Sequence, residues 1–400
     1  MKKYLNICNI YILLWCIYYL QGIVYASGGM ISQMILLLLM LISGYYFIEV
    51  NIRYRIPSFL RVLNVFIGVM TIYGIVLILD PTPIYYGFTL SEQAGKIEFF
   101  KAIYISLLPI YSMYAFTKQG ILKIESIQAL TLILIISTTL SYFRAEQEAL
   151  QKALEVGSMR EEFTNNTGYD FLHIFPLLFF WNKKPILQYA LLAIIFTFIV
   201  MGMKRGAIMI GLVCLIWFIY RAYKSSKTNR SLIIFLTSIA IICGTIYLIN
   251  FYNNSEYFQY RIEQTLEGNS SGRDNLYGSL WQYYIDQDSL LNILIGNGAF
   301  QTVKIAGNYA HNDWLELLIC QGLLGIIIYL AYFISLYKSF KNSRNNILSY
   351  NILGMCLFIM LASSIFSMSY NSLSLSITLC LGYCIATTDI KTPKPNGKEY

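Results

Sequence analysis

The 400-residue sequence contains two histidines, His173 and His311. His311 directly precedes residues 312–316, in which Asp313 and Glu316 have the spacing of a capping box for a following helix. The positive end of that helix disfavours imidazolium, so we expect a neutral imidazole that can take up a proton. An interfacial residue without chemistry is the alternative. His173 lies inside an apolar stretch, where a hydrogen-bonded intramembrane side chain is expected.

Lys204-Arg205-Gly206 interrupts an otherwise apolar stretch between residues 185 and 220. An arginine at the middle of a membrane helix costs about 2.5–3.5 kcal/mol. The three residues are therefore predicted to cap a helical hairpin, with Gly206 permitting the tight turn. At such a turn, Lys204 and Arg205 either extend toward the interface or bind an anionic ligand.

Two further arginines, Arg261 and Arg273, stand in the polar segment 251–312. A guanidinium group can donate two parallel hydrogen bonds to a phosphate, which makes both residues candidate phosphate ligands. Solvated surface side chains are the alternative. An amphipathic helix is predicted over 274–284, lying on the membrane surface. Its apolar residues fall at helical spacing: Leu276, Leu280, Tyr283 and Tyr284.

The elements that must position these residues are membrane helices. Hydrophobic residues make up 57% of the chain and charged residues 12%, whereas a soluble domain has about 25% charged residues. Residues 31–47 and 347–366 contain no charge, and about 20 apolar residues cross a bilayer as a helix. Because these runs are continuous rather than alternating, they predict an all-α integral membrane protein.

Apolar windows predict about 12 transmembrane helices, which places both termini on the same side of the membrane. The first window is nearer 20 residues than the 7–15 of a signal peptide, so a retained helix is expected. The window 169–181 is short and contains Asp170, His173 and Pro176. The windows are 5–25, 30–48, 62–79, 102–117, 126–142, 169–181, 185–202, 206–220, 231–250, 313–337, 347–367 and 370–388.

The distribution of charge predicts the orientation. With both termini in the cytoplasm, the cytoplasmic segments hold 19 of the 29 Lys and Arg residues and 4 of the 21 acidic residues. This asymmetry follows the positive-inside rule, so the net charge of +8 indicates topology rather than nucleic-acid binding. Residues 1–390 then form one polytopic domain, with 251–312 as a large extracytoplasmic loop before the tenth helix. Residues 391–400 are predicted to be a disordered cytoplasmic tail.

No metal site is expected. The eight cysteines lie in or beside apolar stretches without a C-x-x-C pair, as small buried apolar residues do. Asp286-Gln287-Asp288 has the spacing of a metal-binding motif for nucleotide-sugar transfer. Nucleotide sugars are cytoplasmic, however, and these residues are predicted to lie outside.

Several short motifs occur in an order that resembles the bacterial O-antigen ligase and polymerase family. In chain order they are Arg205-Gly206, Ser271-Gly272-Arg273-Asp274, Ile295-Gly296-Asn297-Gly298-Ala299-Phe300, Ala310-His311-Asn312-Asp313-Trp314-Leu315-Glu316 and Gln321-Gly322-Leu323-Leu324-Gly325. The resemblance covers residues 200–337, and 311–325 is its most specific part. One departure is Lys204, where the family often has a small hydroxyl residue before the arginine.

The resemblance implies a membrane-embedded, metal-independent glycosyltransferase of the inner membrane that needs no cofactor. Its donor would be a glycan on undecaprenyl diphosphate at the outer leaflet, and inversion at the anomeric carbon would follow from direct displacement. His311 would be the general base toward an acceptor sugar hydroxyl. Ligands of the diphosphate would be Lys204, Arg205, Arg261 and Arg273. Support and capping of the following helix would come from Asn312, Asp313 and Glu316.

Within this family we expect a polymerase that joins repeat units of O antigen, capsule or exopolysaccharide, because such polymerases are diverse and often lack appended domains. A ligase that transfers the finished chain to lipid A core or to a protein is the alternative. A flippase and a chain-length regulator are the expected protein partners. A multi-pass transporter is the alternative of another class, although the windows contain few acids and no internal repeat is visible.

Overall fold

The structure is a computed structural model of the chain, and its described part is an all-α bundle. The one exception is an antiparallel pair of two-residue strands, β1 (Tyr85–Tyr86) and β2 (Glu92–Gln93). The all-α class predicted from the sequence is confirmed. The described residues are 6–24, 29–86, 92–93, 95–156, 165–225, 273–371 and 373–389, with scattered positions between 231 and 263.

Six helices form the first part of the bundle. They are α1 (Ile7–Val24), α2 (Met30–Arg53), α3 (Ser58–Leu79), α4 (Lys96–Leu107), α5 (Pro109–Lys118) and α6 (Ile124–Val156). Pro109 takes the first position of α5, where a missing N–H does no harm. Helix α6 extends well past the predicted window 126–142, because its Glu, Gln, Ala, Leu and Lys residues favour a helix outside hydrocarbon too.

The predicted span 169–181 consists of two elements, α7 (Thr167–Ile174) and a 3₁₀ segment, Phe175–Trp181. Pro176 lacks the N–H that a continuing α-helix would use, and it lies where the helix type changes. Helices α8 (Pro185–Met201) and α9 (Arg205–Ser225) follow, joined by a short turn at 202–204. The hairpin predicted around Lys204 is therefore present.

Helical segments also occupy the described part of the predicted loop 251–312. They are α10 (Arg273–Ile285), α11 (Leu290–Ile295) and α12 (Gln301–Ala306). Helix α10 matches the predicted helix over 274–284, but Leu280 is fully buried against Ala310 and Ile319. The apolar side of α10 thus packs on protein rather than on a membrane surface. The chain continues through α13 (Asp313–Asn342), a 3₁₀ turn (Ser343–Asn345), α14 (Ile347–Phe366) and α15 (Leu375–Thr388).

Several of these helices have the length and composition of membrane spans. Among the described residues, six segments are long and apolar enough to cross a bilayer, one of them formed by α4 and α5 together, and three shorter helices are also apolar. Large apolar side chains such as Leu37 and Leu41 of α2 are about 60% exposed, which suits lipid better than water. The chain is thus an integral membrane α protein. Most of the window 231–250 and all of 391–400 lie outside the described residues. The number of twelve spans and their orientation therefore stay predictions.

Close helix contacts and polar links hold the bundle together. A Cβ on Gly382 of α15 would lie 2.5 Å from the carbonyl oxygen of Ile110 in α5, so only glycine permits this approach. The Tyr11 hydroxyl and Ser43 Oγ, 2.7 Å apart, join α1 to α2 inside the core. The described cysteines are free thiols, and all but the half-buried Cys16 are buried, as predicted.

Candidate functional site

His311 lies in the loop between α12 and α13, with its backbone in the left-handed region at φ 51°. A non-glycine residue in that region is strained by about 1–3 kcal/mol and persists where its surroundings impose it. Within the described ranges, Met203 and Phe300 are the other non-glycine residues with positive φ. All three fall inside 200–337, the segment that carries the sequence motifs.

Glu316 fixes the residue before His311. Its Oε2 accepts a hydrogen bond from the Ala310 backbone N–H at 2.8 Å, and its Oε1 accepts one from the Thr302 hydroxyl at 2.7 Å. On the other side, the His311 carbonyl accepts a 3.5 Å hydrogen bond from the Tyr277 hydroxyl of α10. A buried carboxylate one turn into α13 therefore positions the loop that presents the imidazole.

The N-cap of α13 is Asn312, which the resemblance named among the capping residues, and it lies one residue before the position that the capping-box spacing suggested. Its side-chain oxygen accepts hydrogen bonds from the backbone N–H groups of Trp314 (3.0 Å) and Leu315 (3.1 Å). The predicted capping box between Asp313 and Glu316 is wrong, because Asp313 is already helical and fully buried.

Asp313 instead joins α13 to the segment after α14. Its Oδ1 accepts from the Ser369 backbone N–H at 2.8 Å, and its Oδ2 accepts from the Ser369 hydroxyl at 2.7 Å and the Tyr329 hydroxyl at 2.6 Å. Neither Asp313 nor Glu316 is in a salt bridge within the described residues. Both carboxylates thus support the site through N–H and O–H donors.

The surroundings of His311 favour the neutral imidazole. Burial lowers the pKa of the half-buried side chain, and the positive charges of Arg273 and Lys204 lower that pKa further. The sequence argument reached the same protonation state through the helix end, whereas burial is the main cause here. Both cations are within electrostatic reach of the imidazole, so the structure brings these three residues together.

Arg273 is the first residue of α10, and it contacts the end of α14. One of its guanidinium nitrogens donates to the Phe366 carbonyl at 3.1 Å, while the Asn312 side-chain amide donates to the Ile365 carbonyl at 3.3 Å. The last carbonyls of a helix have no partner within the helix, so they accept donors from outside. The end of α14 therefore anchors both Arg273 and the residue after His311.

The turn before α9 carries the other two basic residues, and of these Lys204 is within electrostatic reach of His311. Met203 occupies the left-handed position of this turn, and Arg205 begins α9. The predicted role of Gly206 in the turn is wrong, because Gly206 is helical. It matters for close approach instead: a Cβ there would lie 2.3 Å from the Tyr169 hydroxyl oxygen and 3.5 Å from Phe366 Cβ.

The glycine motifs at 295–300 and 321–325 pack against each other. Gly322 has φ 62° and ψ −156°, which breaks α13. The Asn297 and Gly298 backbone N–H groups donate to the carbonyls of Ile319 (3.1 Å) and Cys320 (2.9 Å) beside this break. A Cβ on Gly296 would lie 2.3 Å from the Gln321 backbone nitrogen. The 295–300 motif thus replaces hydrogen bonds that the kink removes from the helix.

Tyr169 is a site residue that the motif analysis missed. Its hydroxyl lies against Gly206, and Arg273 interacts with it electrostatically. The polar character of the short window 169–181 was the available signal. Arg261 lies outside the described residues. Asp286 follows α10, where its carboxylate accepts hydrogen bonds from the Gln282 amide at 2.9 and 3.0 Å.

Comparison with protein families supports the resemblance drawn from the motifs. Residues 190–330 match a family model described as O-antigen ligase. The match contains Lys204, Arg205, Arg273 and His311, and it confirms the resemblance over this segment. The matched segment spans about a third of the chain. Comparison with curated proteins gives no match.

Proposed function

We propose that this protein is a polymerase of lipid-linked polysaccharide repeat units. It transfers glycan from undecaprenyl diphosphate to a sugar hydroxyl at the outer face of the inner membrane. The observation that carries the proposal is that the half-buried His311 lies within electrostatic reach of Arg273 and Lys204, with Arg273 anchored at the end of α14. A base beside fixed cations suits a reaction that deprotonates an alcohol and releases a diphosphate.

In the proposed reaction, His311 takes the proton of the acceptor hydroxyl as that oxygen bonds to the anomeric carbon of the donor. The bond from the anomeric carbon to the phosphate oxygen breaks, and undecaprenyl diphosphate leaves with the electron pair. Arg273, Arg205 and Lys204 stabilise the negative charge that develops on the leaving group. Preorganised donors of this kind contribute about 2.7–4 kcal/mol each, and a positioned base contributes about 10²–10⁴ in rate.

A ligase is the second candidate, because the matching family model is described as O-antigen ligase. The two activities differ in their acceptor: a growing lipid-linked chain for the polymerase, and lipid A core or a protein for the ligase. The lipid-linked glycans of cells that lack the gene distinguish them. Accumulated single repeat units support the polymerase, whereas long chains that stay on the carrier contradict it and support the ligase.

The proposal also requires the site to face outward. Charge asymmetry supports cytoplasmic termini and an extracytoplasmic segment 251–312. A reporter fused after Gly272 is expected to show an extracytoplasmic location. A cytoplasmic reporter signal would contradict the topology and remove the donor from reach of the site.

A further inference from the structure

Helix α7 presents three polar side chains on one arc: Tyr169, Asp170 and His173. At about 100° per residue, His173 projects roughly 40° from Tyr169 and roughly 60° from Asp170. The three side chains therefore occupy neighbouring positions on one side of the helix, here called the α7 arc. Neither Asp170 nor His173 has a role in the function proposed above.

Close contacts fix α7 to the turn that carries Lys204 and Arg205. A Cβ on Gly202 would lie 3.3 Å from Gly168 Cα, and one on Gly168 would lie 3.6 Å from Ala207 Cβ. Tyr169, the next residue, reaches Gly206 and lies in the field of Arg273. One end of the α7 arc is thus held against the basic residues that are proposed to bind the diphosphate.

The other end of the α7 arc lacks partners. Nδ1 of His173 is buried and has no hydrogen-bond partner among the described residues, contrary to the hydrogen-bonded role expected from the sequence. Asp170 likewise forms no hydrogen bond or salt bridge within the described part of the chain. Its side chain is surrounded by protein atoms yet keeps an exposed surface. A polar side chain in this position needs water or a polar ligand as its partner.

Physical chemistry restricts what that missing partner can be. An ionisable side chain that faces hydrocarbon is costly, so such residues in membrane bundles face a water-filled cavity or a partner. A carboxylate accepts hydrogen bonds, and a neutral imidazole both donates and accepts one. Tyr19 of α1 lies within electrostatic reach of Asp170 and carries a further hydroxyl. Grouped donors and acceptors of this kind suit the hydroxyl groups of a sugar.

The charge of Asp170 also excludes a second phosphate site, because a carboxylate repels a phosphate. We infer that the α7 arc binds a sugar ring of the donor glycan, with Asp170 and His173 contacting its hydroxyls. This inference rests on the proposed function, since the sugar is placed by its attachment to the diphosphate at Lys204 and Arg205. The arc would then select the glycan, while the basic residues bind the part that every donor shares.

Binding measurements on the full-length protein in lipid nanodiscs test this assignment with two probes. One probe is undecaprenyl diphosphate alone; the other is undecaprenyl diphosphate that carries the repeat unit isolated from cells lacking the gene. Wild-type protein is expected to bind the glycan-bearing lipid more tightly. Asp170→Asn and His173→Phe are each expected to weaken that binding about 10- to 100-fold and to leave the affinity for the bare lipid unchanged.

Asn166→Ala is the matched control, because Asn166 is exposed at the start of α7 and its side chain does not cap the helix. Unchanged affinity for the bare lipid shows that the variants are folded. Unchanged affinity of both variants for the glycan-bearing lipid would overturn the inference while the proposed function stands. Wild-type protein that binds neither probe would overturn both. An Asp170-dependent proton flux into sealed vesicles, with glycan binding intact, would replace the sugar site by an ion pathway.

Discussion

Two groups of buried or crowded polar residues in the bundle differ in their partners. Glu316 and Asp313 are buried, and each carboxylate receives hydrogen bonds from backbone and hydroxyl donors. Asp170 and His173 of the α7 arc are crowded by protein but lack such partners among the described residues. Buried polar groups in native proteins are normally satisfied, so the first group fixes a shape and the second is available to a ligand.

In the proposed function His311 acts as the base, whereas Glu316 only supports the loop that carries it. Removing His311 therefore has the largest expected effect. His311→Ala is expected to lower turnover about 10²–10⁴-fold and to leave protein level and Tm unchanged. Glycan chain length in cells and turnover of the purified protein measure it. Asn308→Ala, an exposed change in the same loop, is the control. Retained long chains in the His311 variant would eliminate the base assignment.

Substitutions of Arg273, which contacts the end of α14, test whether this residue also binds phosphate. Arg273→Lys is expected to raise the activation barrier by about 2.7–4 kcal/mol, nearly as much as Arg273→Ala. The reason is that an ammonium group cannot form the planar pair of hydrogen bonds. Steady-state rates with the isolated donor measure the effect, with the exposed neighbour change Asn275→Ala as control. Full activity of the lysine variant would show that Arg273 contributes only its positive charge and not a pair of parallel hydrogen bonds.

Stability separates the two groups most directly. Glu316→Ala leaves the Ala310 N–H and the Thr302 hydroxyl without an acceptor, and each buried donor is expected to cost about 1–3 kcal/mol. Asp170→Asn removes no hydrogen bond within the described residues, so its Tm in detergent is expected to match or exceed that of the wild type. Thermal melting of both variants measures the difference. Equal losses of Tm would break the distinction between supporting and ligand-binding carboxyl groups.

The smallest expected effect is a shift in the pH profile. Burial and the charges of Arg273 and Lys204 lower the pKa of His311 below 6.5, so the base stays neutral and active at mildly acid pH. Activity is lost only as the pH falls through the lowered pKa. Lys204→Gln removes one positive charge, and the acid limb of its residual kcat/KM is expected to move to higher pH. If the acid limb of the Lys204→Gln profile stays in place or moves to lower pH, Lys204 does not influence the pKa of the His311 imidazole.

Local patterns in the sequence predicted the features that depend on neighbouring residues. The hairpin at Lys204 follows from one polar break in an apolar run, and α10 follows from helical spacing over 274–284. The capping-box spacing placed the cap of α13 at Asp313, one residue too late. Asn312 and Asp313 are both good capping types, and in the structure Asp313 is buried inside the helix while Asn312 caps it.

Long-range contacts could not be predicted in this way. The approach of Tyr169 to Gly206 and the bond from Arg273 to the Phe366 carbonyl join residues far apart in the chain. No local preference encodes such pairs. The positive φ of His311 was not predicted either, because it depends on Glu316, which holds Ala310, and on Asn312, which caps α13. The motif residues could therefore be chosen from the sequence, whereas the partners that orient them could not.

The break at Gly322 has a mechanical consequence. Transmembrane helices tilt to match bilayers of different thickness, and an uninterrupted helix would transmit each tilt along its length to the imidazole. At Gly322 the helical hydrogen bonding is interrupted, and the carbonyls of Ile319 and Cys320 accept from the backbone N–H groups of Asn297 and Gly298 instead. The short segment from Asp313 to Gln321 is thereby oriented by its own surroundings, and the direction of His311 is insulated from the lipid.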